Sequence, residues 1–196
     1  MSGNLRSPNS SDVAVDGTGR RVALVCARFN DLIVERLERG ARRALVEHGV
    51  AADAIETFWV PGALEIPQVA RAAATSGRFD AVVALGAVVR GDTYHFEVVS
   101  DASAAGLMQL SLDTDVVITN AILTVDDEDQ AVVRAGDDDG NKGAQAALAA
   151  LETRAVIDGD VFREPIFPSG VRAIGVPVAA ANKGQEEALL VAEKLE

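Results

Sequence analysis

The run AVVALGAVV (Ala81–Val89) is nine residues long and carries no polar side chain. A strand with one wet face alternates apolar and polar residues, whereas an unbroken apolar run of this length reads as a strand covered on both faces. Three companions sit at regular intervals: RVALVCA (Arg21–Ala27), IETFWV (Ile55–Val60) and a strand within DVVITNAILTV. Between them lie amphipathic segments. A helix is predicted from about Asp31, with Ile33, Leu37, Ala41, Ala44 and His48 on one stripe and Gly49 as its stop. Pro67 opens a second helix over PQVARAAA, a third runs from about Thr93 to Leu110, and two more cover Glu128–Ala135 and Asn141 to about Thr153. Strand–helix alternation at this spacing predicts a flavodoxin-like, three-layer α/β/α single domain with a mostly parallel sheet and right-handed crossovers.

Composition narrows the function. A chain of 196 residues supports one sizeable core. No apolar stretch approaches the ~20 residues of a membrane span. Residues Met1–Gly19, rich in Ser, Asn, Asp and Gly, lack the charged start and apolar middle of a signal peptide and are expected to form a loose arm, with the cytoplasm as compartment. The single cysteine, Cys26, permits neither an internal disulfide nor a cysteine-based metal site, and two histidines do not make a His-rich metal centre. A net charge of −12 opposes nucleic acid as a partner, since phosphate backbones require a basic surface. It leaves room for a small phosphorylated substrate, which needs only a few local cations. Lysine is confined to Lys142, Lys183 and Lys194. Solubility through charge is the simpler account of this acidity, ahead of adaptation to salt.

In doubly wound sheets ligands bind at the carboxyl ends of the strands. RFND (Arg28–Asp31), PGALE (Pro61–Glu65), RGDTYH (Arg90–His95) and NAILT (Asn120–Thr124) all fall on that edge. His95 is placed there either to carry protons near neutral pH or to cap the following helix. His48, on an apolar helix stripe, is expected to be structural. Gly91, Asp92 and Thr93 precede a helix, whose free N–H groups can hold an anion; an ordinary capped turn accounts for them equally. Phe29 can stack on a planar ring or cover the core rim. Glu65, fixed between Pro61 and Pro67, can accept hydrogen bonds from ligand hydroxyls or simply face solvent. Arg134 and Lys142 flank AGDDDGNKG as phosphate ligands or as solvated charge.

Taken in order, ARFND, VPGALEIP, ALGAVVRGDTYHFEVV, NAILTVDDEDQA and RAGDDDGNKG resemble the 6,7-dimethyl-8-ribityllumazine synthase family of riboflavin biosynthesis, from about Arg21 to about Ala155. The resemblance implies condensation of 5-amino-6-(D-ribitylamino)uracil with 3,4-dihydroxy-2-butanone 4-phosphate, releasing phosphate, without metal or cofactor. It implies that Phe29 stacks on the pyrimidine and that Ala63, Leu64 and Glu65 meet the substrate, with Glu65 holding ribityl hydroxyls. Ala87, Val88 and Val89 would line the pyrimidine slot, and Asp92 and Thr93 would offer backbone donors to the phosphate. Asn120 would contact the ring, Arg134 would grip the phosphate, Lys142 would add charge nearby, and His95 would carry protons. It further implies homo-oligomers, pentamers or shells built from them, with each site between neighbours and with Asn120 and Arg134 supplied by the adjacent subunit. Two other readings share these residues: an archaeal-type riboflavin synthase, which dismutates two lumazines, and a non-catalytic lumazine- or flavin-binding shell.

The sequence departs from the family at three places. Asp137, Asp138 and Asp139 stand where Thr or Lys is common, which should weaken phosphate attraction unless these acids point outward. Tyr94 stands where Pro or Thr is frequent. The chain also runs on beyond the usual length. The expected division is an arm over 1–19, the synthase domain over 20–157 and an extension over 158–196, with a strand near Val171–Val178 and a helix from about Asn182.

Overall fold

The computed structural model describes residues 15–138 and 140–159. The strand and helix expected in the extension, most of the N-terminal arm, and Asp139 lie outside the described residues. Strand β1 (Val22–Ala27) leads to α1 (Asp31–Glu47), then β2 (Ile55–Val60), α2 (Ile66–Thr75), β3 (Ala81–Val89), α3 (His95–Asp113), β4 (Val117–Val125), α4 (Glu128–Arg134) and α5 (Lys142–Asp158). The four strands are all parallel, in the order β2-β1-β3-β4. The expected α/β class therefore holds.

Every residue of β1 is buried. Val22, Leu24 and Cys26 point into one core with α1 and α5; Ala23, Val25 and Ala27 point into the other with α2. The period-two alternation of a strand thus feeds two apolar layers, and this is why the sequence shows no polar–apolar alternation there. Strand β3 does the same with smaller residues. Ala81, Val83, Leu85 and Ala87 face α1 and α5, while Val82 and Ala84 face α2 and α3. The first crossover carries the chain outward to β2, and the second brings it back past β1 to β3. The winding direction reverses between β1 and β3, which opens a crevice at their carboxyl ends.

Several element boundaries differ from expectation. Helix α3 begins at His95, not Thr93, and its preceding residue Tyr94 is already helical and makes no side-chain cap. Asp92 and Thr93 are therefore loop residues, not caps. Strand β4 runs to Val125, so NAILT lies within the strand and not beyond its end. An edge strand tolerates this: Asn120 is exposed, and its side-chain oxygen accepts the N–H of Ile122 at 2.8 Å. Val15–Gly19, the end of the expected arm, dock against the fold, where the Gly17 N–H donates to the His48 carbonyl at 2.7 Å. His48 itself bonds through Nδ1 to the Ala44 carbonyl at 2.8 Å and ends α1, with Gly49 at φ 91° making the turn.

The α1–α5 contact is unusually close, and NKG explains it. Asn141 is 1% exposed; its oxygen caps α5 at the Ala144 N–H (3.0 Å), and its amide donates to the carbonyls of Arg36 (3.2 Å) and Gly136 (2.8 Å). A Cβ added at Gly143 would land on the Leu37 carbonyl, and one at Gly40 would land on the Asn141 side chain. Gly143→Ala should therefore destabilise the protein by about 2–3 kcal/mol through overpacking. Gly91→Ala, where an added Cβ meets nothing within 4 Å, should leave the urea-unfolding midpoint unchanged.

Two further features complete the fold. Burial pushes the Cys26 thiol up to about 12, with the nearby Glu38 charge adding to the effect. At the end of α5, Asp158 accepts from Arg20 (2.6 Å) and Arg154 (2.8 Å), tying the helix back to the entry of β1. Burial opposes ionisation of Asp158, but the hydrogen bonds and charges of Arg154 and Arg20 outweigh it and hold the carboxyl below its usual range. A depressed carboxyl stabilises the folded state above its unfolded pKa, and that gain disappears as pH falls through the folded value. Asp158→Asn should cost roughly 1 kcal/mol at pH 7, with the gap from wild type closing below about pH 4 in urea titrations.

Candidate active site

A cavity of about 350 Å³ opens at the carboxyl ends of β1, β2 and β3. Phe29, Ala63, Leu64, Glu65, Ala87, Val88, Val89 and His95 all line it, together with Asn30, Gly62 and Val99. Its walls are mostly apolar, and the polar side chains among them are Glu65, Asn30 and His95. Such a slot accepts a flat heterocycle and leaves polar groups at its rim to orient it.

Backbone staples hold the β1 and β2 tips together. The Arg28 N–H donates to the Val60 carbonyl at 2.9 Å, and the Phe29 N–H donates to Pro61 at 3.2 Å. Phe29 is 70% exposed, with one ring edge against Gly62. A Cβ on Gly62 would sit 3.1 Å from both the Phe29 ring and the Glu65 carboxylate, so only glycine leaves both groups free at that spacing. Glu65 precedes the first residue of α2, and the rigid Pro61–Pro67 stretch fixes its place on the rim. His95, the first residue of α3, is exposed, and no other described side chain holds its ring.

Asn30 is a site residue that sequence reasoning passed over. It adopts the left-handed conformation (φ 59°, ψ 41°), and its amide donates to the Ala87 carbonyl at 2.8 Å instead of capping α1. The bond crosses the reversal point and ties the β1 tip to the β3 tip. The signal was the asparagine itself, one of the few side chains that tolerate positive φ.

Not every expected residue reaches this cavity. Asn120, Arg134 and Lys142 line a second one, of about 410 Å³, between β4 and the start of α5. There the Arg134 guanidinium donates to the Gln130 carbonyl at 3.0 Å, and the Lys142 ammonium donates to Gln145 Oε1 at 2.7 Å. Asp92 and Thr93 lie on the exposed β3–α3 turn and line neither cavity. Three strand tips converge, and the fourth expected stretch faces elsewhere. Asp137 and Asp138 are exposed and do not line the cavity holding Arg134.

The model of the 6,7-dimethyl-8-ribityllumazine synthase family matches residues 19–158. The chain belongs to this family. Among relatives, 6,7-dimethyl-8-ribityllumazine synthase of Gemmatimonas aurantiaca is 52% identical over 142 residues, which is 72% of this chain and 87% of that protein. The enzyme of the same name from Leuconostoc mesenteroides subsp. mesenteroides is 47% identical over 138 residues, 70% of this chain and 88% of that protein. The lumazine synthase match thus ends where α5 ends and leaves the extension outside it.

Separating the two duties of Asn30 gives a direct check. Asn30→Gly removes the amide bond but keeps the backbone conformation, whereas Asn30→Ala also incurs the left-handed penalty of about 1–2 kcal/mol. Chemical denaturation should rank stability as wild type, then Asn30→Gly, then Asn30→Ala.

Proposed function

We propose that this chain condenses 5-amino-6-(D-ribitylamino)uracil with 3,4-dihydroxy-2-butanone 4-phosphate to give 6,7-dimethyl-8-ribityllumazine, two waters and inorganic phosphate. One observation carries the reading: a single apolar slot holds an exposed aromatic ring, a rim carboxylate and a free imidazole together. The 5-amino group attacks the ketone and loses water to form an imine. Phosphate is then eliminated, and the ribitylamino nitrogen closes the second ring on the remaining carbonyl with loss of the second water. Each step moves a proton, and an imidazole at the slot's rim can both give and take it. His95 at the rim fills this role. Phe29 stacks on the pyrimidine, Ala63 and Leu64 with Ala87, Val88 and Val89 form the slot, and Glu65 accepts from ribityl hydroxyls. Asp92 and Thr93 present backbone N–H groups to the phosphate. Holding the two substrates face to face removes the entropy cost of their encounter.

No lysine or arginine lines the slot, whereas Arg134 and Lys142 line the cavity beside β4 with Asn120. A homo-oligomer in which one copy sets its β4 cavity against the slot of the next brings an anion clamp to the leaving phosphate. A pentamer is the assembly that fits this reading best, and a cytoplasmic location fits the substrates. No described helix is long and apolar enough to cross a membrane.

Purified protein mixed with both substrates should produce lumazine absorbance and phosphate in equal amounts. A product that forms from lumazine alone, without the butanone phosphate, would point instead to the dismutating synthase. His95→Ala should lower kcat by about 10²-fold with little change in substrate binding. Arg134→Ala should mainly raise KM for the phosphorylated substrate, by roughly tenfold or more for a lost charge-assisted hydrogen bond.

A further inference from the structure

Beside the slot, Arg90 sits one residue past β3. Its side chain is already engaged. The Nε donates to Asp126 Oδ1 at 2.9 Å just beyond the end of β4, and Nη1 donates to the Glu97 carboxylate in the first turn of α3. The guanidinium also lies 4.0 Å over the centre of the Phe96 ring. Its backbone N–H continues the sheet ladder by donating to the Val125 carbonyl at 2.9 Å. Two carboxylates outweigh its single charge, so a phosphate would have to displace them to bind there. Arg90 is therefore not a free anion ligand.

The segment that it spans has few other ties. Gly91, Asp92, Thr93 and Tyr94 are exposed, and helix α3 starts without a side-chain cap. Phe96 directly follows His95 and Glu97 comes next in that first turn. We infer that Arg90 is a positioning residue: it locks the Gly91–Tyr94 turn and the helix start bearing His95 to the sheet at the β3–β4 tip. This inference rests on the proposed condensation. Glu97 responds to the contact, since the hydrogen bond from Arg90 holds its carboxyl below the usual range. It also stands in the first turn of α3, where a negative charge suits the helix dipole. The same side chain thus fixes both the helix start that bears His95 and the turn before it. Phe29 and Ala63–Glu65 line the slot from the tips of β1 and β2, which Arg90 does not touch, so the two functions can be separated in kinetics.

The test uses the full chain and both substrates. Arg90→Met keeps the aliphatic stem and removes the charge. It should lower kcat by on the order of 10- to 100-fold, the effect of misplacing a catalytic group by about an ångström. KM for the ribitylaminouracil should stay within about twofold of wild type, and so should the folded fraction at the assay temperature. Arg90→Lys, able to keep one of the two ion pairs, should recover part of kcat. Asp126→Asn should lower kcat by a smaller factor, and by nothing further when combined with Arg90→Met. A wild-type kcat in Arg90→Met overturns the inference, as does a fall explained by loss of folded protein alone. So does an Asp126→Asn effect that persists undiminished in the Arg90→Met background. Should Arg90→Met fail to fold, Asp126→Asn decides, and an unchanged kcat there is fatal. Wild-type protein that makes no lumazine overturns the proposed function and this role with it, whereas an active wild type with unaltered variants overturns the role alone.

Discussion

Burial of β1 on both faces is the constraint from which the remaining architecture follows. A strand with no wet side must have helices above and below it, and a parallel sheet is the arrangement that supplies them through crossovers. Leu24 and Val25 point in opposite directions into separate cores, so neither helical layer can be lost without exposing one of them. Once the crossovers run right-handed, the reversal between β1 and β3 is fixed, and with it a crevice at their carboxyl ends. Apolar burial thus sets the address of the chemistry before any polar residue is placed.

Polar residues then refine that address with few contacts. The Asn30 amide spans the reversal point, Gly62 gives room to Phe29 and Glu65, and the Arg28 and Phe29 amides bind the β1 and β2 tips together. These are rigid, short-range devices on strand ends, and they keep an exposed aromatic ring in place without burying it. The cationic residues follow a different logic. Arg134 and Lys142 lie between β4 and the start of α5, outside the apolar slot.

Much of this was legible in the sequence because it follows local rules. The apolar runs located the strands, Gly49 stopped α1, and the residues of VPGALE and GAVV met at one cavity. The failures share a physical cause, namely contacts between residues remote in the chain. Asn30 and Ala87, or Arg90 and Asp126, are joined only after the sheet has assembled. Asn120 was misplaced because a polar residue in an apolar run looks like a strand end, whereas an edge strand can turn such a side chain outward. Helix α3 started late because Asp92 and Thr93, both good caps by propensity, were left in the loop that Arg90 straddles. In NKG the sequence pointed to the lysine, yet the asparagine and glycine around it set the spacing of two helices.

Cys26, the chain's sole cysteine, sits wholly buried in the middle of the sheet with its thiol held protonated. At ordinary pH it should not react with alkylating reagents in the native fold. Any cysteine introduced at the surface would then be the sole reactive sulfur. A fluorophore or spin label could be attached at one chosen point without first stripping the protein of its native thiol.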